Sequence, residues 1–135
     1  MTRREAREII IGLLFECEFQ EDQQPEETYA RAMEAREFED VPFVHDTFFG
    51  VLAHMQDVDE KIGEYSKGWK VGNISSVTRA VLRLGTYELL FSTDVPSKVA
   101  INEALELVRK YDDEKNVPFT NGILNSIKNE IETHE

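Results

Sequence analysis

The chain has 135 residues, enough for one domain whose core needs no disulfide or metal staple. Hydrophobic residues make up 41% and charged residues 31%, but 27 acidic against 15 basic side chains leave a net charge of −12. That balance excludes nucleic-acid binding through overall charge, the single cysteine excludes an internal disulfide and a Cys-based zinc site, and no apolar run is long enough for a membrane span. The opening Met1-Thr2-Arg3-Arg4-Glu5 leads straight into a helical pattern, so no cleaved signal segment is expected and the expected location is a reducing cytoplasm.

Ala6, Ile9, Ile10, Leu13, Leu14 and Cys17 follow i, i+3, i+4, i+7 spacing and predict a first helix over 3–20, with Thr2 and Glu5 as its capping box. Pro25-Glu26-Glu27 predicts the start of a second helix to about 38, with acids where the helix dipole favours them. A third starts near Pro42 and carries Val44, Phe48, Val51, Leu52 and Met55. Asp57 is the expected cap of a short fourth helix with Val58, Ile62 and Tyr65. Residues 66–75, with Gly68 and Gly72, break the pattern. The fifth helix is predicted over 76–92, the sixth over 98–113 and the seventh over 118–132. No stretch alternates with period two for long enough to predict a sheet. The reading is an all-α fold of about seven helices in one domain, with sub-bundles over 1–66 and 75–135 sharing one continuous core. Gly12, Gly50 and Gly85 are read as points of close helix approach, and at Gly122 a ligand-facing backbone stays open as well.

Signatures of catalysis are missing. There is no G-x-G phosphate loop, no H-E-x-x-H and no E-x-x-H. Asp57-Val58-Asp59 opens like a calcium loop, but Ile62 stands where the sharp-turn glycine belongs, so capping and solvation are the better account. His45, His54 and His134 are read as structural or surface residues. Cys17, flanked by Glu16 and Glu18, is read as a small buried hydrophobe rather than a nucleophile. Neither a catalytic group nor a metal site nor a cofactor is predicted.

Charge is more informative when divided along the chain. Residues 16–40 hold ten carboxylates against two arginines, −8. Two zones run the other way. Arg3, Arg4 and Arg7 crowd the start of helix one against the dipole, an arrangement that fits either a phosphate seat or a solvated helix start with Arg4 paired to Glu8. Lys67, Trp69 and Lys70 sit in a glycine-containing loop, where the indole can stack an unpaired base or plug the gap between the two halves.

Four segments then carry a family likeness. Val77-Thr78-Arg79-Ala80-Val81-Leu82-Arg83-Leu84-Gly85-Thr86-Tyr87-Glu88-Leu89 resembles the fifth-helix signature of the NusB family of transcription antitermination factors. Asp94-Val95-Pro96-Ser97-Lys98-Val99-Ala100-Ile101-Asn102-Glu103-Ala104-Leu105-Glu106-Leu107 resembles that family's most recognisable motif, and Phe119-Thr120-Asn121-Gly122-Ile123-Leu124 is similar to its closing F-x-N-G-[IV]-L element. Arg3-Arg4-Glu5-Ala6-Arg7-Glu8 resembles its basic opening, here interrupted by Glu5. Thr78 stands where an acidic residue is common, and 115–118 departs from the usual pattern.

The resemblance implies two small helical bundles packed together. It implies non-catalytic binding of boxA-type single-stranded RNA in ribosomal RNA leader transcripts, together with a small-subunit ribosomal protein called NusE in this role. Other Nus factors and RNA polymerase follow indirectly. Carried over by position, it implies RNA contacts at Arg3, Arg4 and Arg7, with Trp69, Lys70, Phe119 and Asn121 as RNA-side neighbours. Phe15, Thr78 and Arg79 are implied for the partner-protein surface. Monomer and weak homodimer both stay open. The alternative reading is a helical protein-interaction module with weak or lost RNA binding, working through the acidic 16–40 stretch.

Overall fold

The computed structural model describes residues 1–36 and 38–133; Glu37 and His134, both weighed above, lie outside them. Seven α-helices and one 3₁₀ turn make up the regular structure of the described residues: α1 Arg3–Phe19, α2 Pro25–Arg36, α3 Pro42–Ala53, α4 Met55–Tyr65, the 3₁₀ turn Val71–Asn73, α5 Ser76–Phe91, α6 Ser97–Tyr111 and α7 Asn116–Thr133.

Their boundaries follow from the local chemistry. Thr2 Oγ1 accepts the Glu5 N–H at 3.0 Å and its hydroxyl donates to the Glu5 carboxylate at 3.1 Å, so the capping pair starts α1 as expected. Pro25 and Pro42 open α2 and α3, where the missing N–H costs nothing. The expected cap at Asp57 is displaced. The junction is His54, whose N–H reaches back to the Gly50 and Val51 carbonyls while its own carbonyl accepts the Val58 N–H. Asp57 falls in the first turn of α4, where its charge still suits the dipole. Helix α7 starts two residues before the predicted 118, because the turn at Asp113 and Glu114 feeds directly into it and Pro118 is tolerated in a first turn.

Helix α5 is the axis of the molecule. It packs against α1, α3, α4, α6 and α7, and ten of its sixteen residues are buried, including Thr78, Arg79, Thr86 and Glu88. The apolar interior is one cluster that runs from Ala6 and Ile10 of α1 through Val81, Leu82 and Leu84 of α5 to Ile123, Leu124 and Ile127 of α7. Two of the interior glycines answer the close-approach expectation. A Cβ at Gly50 would overlap the Tyr87 ring, and one at Gly85 would press Leu124 at 3.2 Å. Nothing lies within 4 Å of the Cβ position at Gly122.

Candidate nucleic-acid interface

The first basic zone is divided by the register of α1. Arg7 lies three residues before Ile10 and seven before Leu14, so it shares the core stripe. Its side chain is 4% exposed and makes a bidentate pair with Glu88 of α5, both bonds at 2.9 Å. The hydrogen bonds from Arg7 to Glu88 outweigh burial and hold the guanidinium pKa above its ordinary value. This corrects the expectation of an RNA contact at Arg7: its donors are committed to a buried carboxylate, and it fastens α1 to α5.

Arg3 and Arg4 remain at the surface. Arg3 places its guanidinium 4.1 Å from the Phe43 ring centroid, and no carboxylate bridges it among the described residues. Arg4 is exposed and bonds both oxygens of Glu103 on α6, at 3.0 and 3.2 Å, rather than Glu8. Glu8 is held instead by the Tyr111 hydroxyl and by Lys110, whose ammonium lies 3.0 and 3.1 Å from its oxygens. The Tyr111 bond and then the Lys110 bond hold the Glu8 carboxyl below its ordinary range. A polar groove of about 350 Å³ runs between these pairs, lined by Arg4, Glu8, Glu103, Glu106, Arg109 and Lys110 among others.

The second zone lies near the far end of α1, which is roughly 25 Å long. Trp69 is 58% exposed, so it does not plug a gap. Its ring meets Phe119 edge-on, with centroids 6.5 Å apart. Phe119 separates two grooves. One, of about 380 Å³, is lined by Trp69, Asn73, Ile74, Ser75, Lys115, Asn116 and Phe119. The other includes Tyr65, Lys67, Pro118 and Gly122. Lys115 lines the first groove and Lys67 the second, while Lys70 and Asn121 are exposed chain neighbours of the two rings, and Asn121 Oδ1 accepts the Asn125 amide at 2.7 Å. The fold therefore brings together Trp69 and Phe119, 50 positions apart, and sets Lys67 and Lys115 in the grooves beside them. Arg3 and Arg4 stand apart from them at the other end of α1.

The chain reverses at Lys67 and Gly68, both with positive φ (53° and 89°). A residue with a Cβ gives up about 1 kcal/mol in that region, and Lys67 does so at the edge of the aromatic pair. The fully buried Ser66 hydroxyl donates its one proton to the Trp69 carbonyl at 2.5 Å, with the Gly63 carbonyl the alternative acceptor at 3.2 Å, and holds the near side of the turn.

The residues expected on a partner-protein surface separate. Phe15 is 37% exposed and its ring lies 4.8 Å from that of Phe19, which is more exposed still. Beside it runs an apolar groove of about 330 Å³ lined by Ile11, Gly12, Phe15, Val77, Ala80 and Tyr111, with Glu8 at its edge. Thr78 and Arg79 do not belong to this surface, contrary to expectation. Thr78 has no exposure and donates its hydroxyl to Asp112 at 2.7 Å. Arg79 is 7% exposed, bound to Glu18 and to loop carbonyls. Both sit on α5, which is covered on almost every side. Tyr111, Phe19 and Lys110 were not singled out by sequence; each is a single large side chain near a helix end, a weak signal by itself. Burial raises the Cys17 thiol pKa, which keeps it neutral. Among the described residues no group of three or more His, Cys, Asp or Glu could hold a metal ion, and no helix is long and apolar enough to cross a membrane.

The NusB family model matches residues 4–129. The chain belongs to the NusB family. The transcription antitermination protein NusB of Bacillus subtilis (strain 168) is 37% identical over 132 residues, covering 98% of each chain. That of Acetivibrio thermocellus is 39% identical over 129 residues, covering 94% of this chain and 88% of its own. Among solved structures, T. maritima NusB superposes with a TM-score of 0.88 at 32% identity, covering 96% of this chain and 92% of that one. A chain from the crystal structure of antitermination factors NusB and NusE in complex with dsRNA shares the fold, with a TM-score of 0.84 at 24% identity, covering 96% and 99%. The matched relatives are named transcription antitermination proteins, a non-enzymatic role.

Proposed function

We propose that this protein is an RNA-binding adaptor of transcription antitermination in the cytoplasm. It binds boxA-type single-stranded RNA of ribosomal RNA leader transcripts together with the ribosomal protein NusE, and through that pair engages other Nus factors and RNA polymerase. One observation carries the reading: an exposed indole set edge-on to a second ring, with Lys67, Lys70 and Lys115 around them. Rings that face solvent can stack unpaired bases while ammonium groups hold the phosphates between them. Arg3 and Arg4 offer a second phosphate contact beyond the far end of the Phe15 groove. A protein partner seated in that groove would have an RNA contact on either side, so RNA and partner would strengthen each other's binding. The solved complex of NusB and NusE with dsRNA supports the pairing.

The test is a titration with a boxA-type single strand at several salt concentrations, with and without NusE. Weak, salt-dependent binding alone and tighter binding with NusE is the expected result. Trp69→Ala and Phe119→Ala should each weaken it by about 1–3 kcal/mol, the usual value of a stacked base. Retention of NusE with no RNA affinity in either condition would overturn the reading in favour of a protein-interaction module.

A further inference from the structure

We propose that Arg79 is a positioning residue for RNA binding: from inside the fold it sets the geometry of the loop that presents Trp69 and Lys70. The inference rests on the reading that this loop meets RNA. Arg79 leaves α5 in its first turn, and its Nη1 donates to the carbonyls of Val71 at 3.2 Å, Gly72 at 3.3 Å and Ile74 at 2.6 Å. Its Nη2 reaches the Ser76 hydroxyl at 3.3 Å. The remaining face of the guanidinium is bound by the Glu18 carboxylate of α1. One buried cation thus gathers three carbonyls within the four residues that follow Lys70, while Ser66 fastens the turn that carries Trp69. Ile74 anchors the end of the segment in the core with Val71 packed against it, and the Ser75 hydroxyl bonds Asp112; the two holds act on what lies between these anchors and α4. The tip at 67–70 is exposed, nothing lies within 4 Å of the Cβ position at Gly68 or Gly72, and the segment's own backbone bonds are the short ones of a 3₁₀ turn.

The planar, five-donor guanidinium is what the task requires. A lysine at this position keeps the charge against Glu18 but has three donors on one atom and cannot span three carbonyls and a carboxylate together. Glu18 orients the group, and Arg83 shows the contrast within the same network. Arg83 bonds Asp59 at 2.9 Å through two nitrogens and approaches Glu18, yet among the described residues it touches no loop carbonyl.

Trp69 is the only tryptophan, so its emission reports on the loop without a label. The test compares Arg79→Lys, Glu18→Gln and Arg83→Gln in the full chain. It measures Trp69 emission and quenching, amide exchange at Asn73 and Ile74, urea stability, and affinity for a boxA-type single strand with NusE present. Arg79→Lys is expected to keep the helical circular dichroism, alter Trp69 quenching, speed exchange at the two amides and lower RNA affinity about ten-fold, the scale of one lost charge-assisted hydrogen bond. Glu18→Gln is expected to shift the same readouts less, and it carries the test if Arg79→Lys does not fold. Arg83→Gln is expected to lower stability without moving Trp69 or RNA affinity. The proposal is overturned if Arg79→Lys leaves Trp69 and both amides unchanged, or if affinity merely tracks stability across all three variants. A loosened loop with unchanged RNA affinity overturns it differently: Arg79 then still holds the loop, and the reading that the loop meets RNA is what fails.

Discussion

Replacing Arg7 by methionine separates a structural arginine from an RNA contact. The substitution keeps an unbranched, apolar stem, though a shorter one, and removes the guanidinium with its charge and donors. Glu88, 2% exposed, then loses the two 2.9 Å bonds that satisfy its carboxylate. Breaking a buried pair by removing one partner costs about 3–5 kcal/mol, because an uncompensated charge stays inside. A 135-residue domain has in total about 7–20 kcal/mol of stability, so the loss is a large share of it. With a urea slope of about 1–3 kcal/mol/M the midpoint should fall by roughly 1–5 M, followed by far-UV circular dichroism. The double variant Arg7→Met/Glu88→Met removes both charges and should recover most of the loss, since an apolar pair of similar volume often replaces a buried ion pair without penalty. RNA affinity measured on the folded fraction should stay near that of the unsubstituted chain. The reasoning fails if the single variant loses less than ~1 kcal/mol, or if the double variant is no more stable than the single one.

Arg4→Ala should do the opposite: little change in the urea midpoint, since its bridge to Glu103 is exposed, and weaker RNA binding with the salt slope reduced by about 1. Gly50→Ala should lower the melting temperature by forcing a Cβ into the Tyr87 ring, at about 1–3 kcal/mol, whereas Gly122→Ala, in open helix, should raise stability by about 0.5–1 kcal/mol; differential scanning calorimetry of the two variants checks both. Burial pushes the Asp112 carboxyl up, but bonds from the Ser75 and Thr78 hydroxyls and the Asp113 N–H outweigh it and set its folded pKa below the ordinary value. Its contribution is therefore fully present above that ordinary value, near 4, and is lost as pH falls through the lower folded one. Urea curves across the acid range should show this loss in the native chain and not in Asp112→Asn.

The helices were legible because apolar residues at helical spacing leave little choice, and Thr2, Pro25 and Pro42 mark their starts. The all-helical fold and the family likeness of its motifs could both be read before any coordinates. Charged residues on buried helices were harder to place. Periodicity gives the stripe of α1 and sets Arg7 on its inner side, whereas its residue type points to solvent. Periodicity does not help on α5, where apolar residues occupy nearly every face and the partners that satisfy Thr78 and Arg79, Asp112 and Glu18, come from the end of α6 and from α1. The pairing of Trp69 with Phe119 depends on α7 folding back beside the loop, a contact across 50 positions that no local pattern encodes.

An acidic chain that binds RNA must limit repulsion without many free cations, and the structure does so by spending arginines on its own carboxylates. Arg4, Arg7, Arg79 and Arg83 each neutralise an acid within the fold. Among the described residues, the cations left without a carboxylate bridge near the candidate interface are Arg3, Lys67 and Lys70, and of those four arginines only the exposed Arg4 can exchange its bridge for a phosphate. So few phosphate contacts release few counterions, and the salt dependence of binding should be shallow for a nucleic-acid binder. Stacking on Trp69 and Phe119 does not weaken with salt in that way and is not opposed by the −12 body at long range. On the proposed reading, recognition is therefore weighted toward unpaired bases over backbone phosphate. That weighting favours single strands over duplex, whose bases are already stacked on one another, and leaves the missing electrostatic attraction to be supplied by a basic partner.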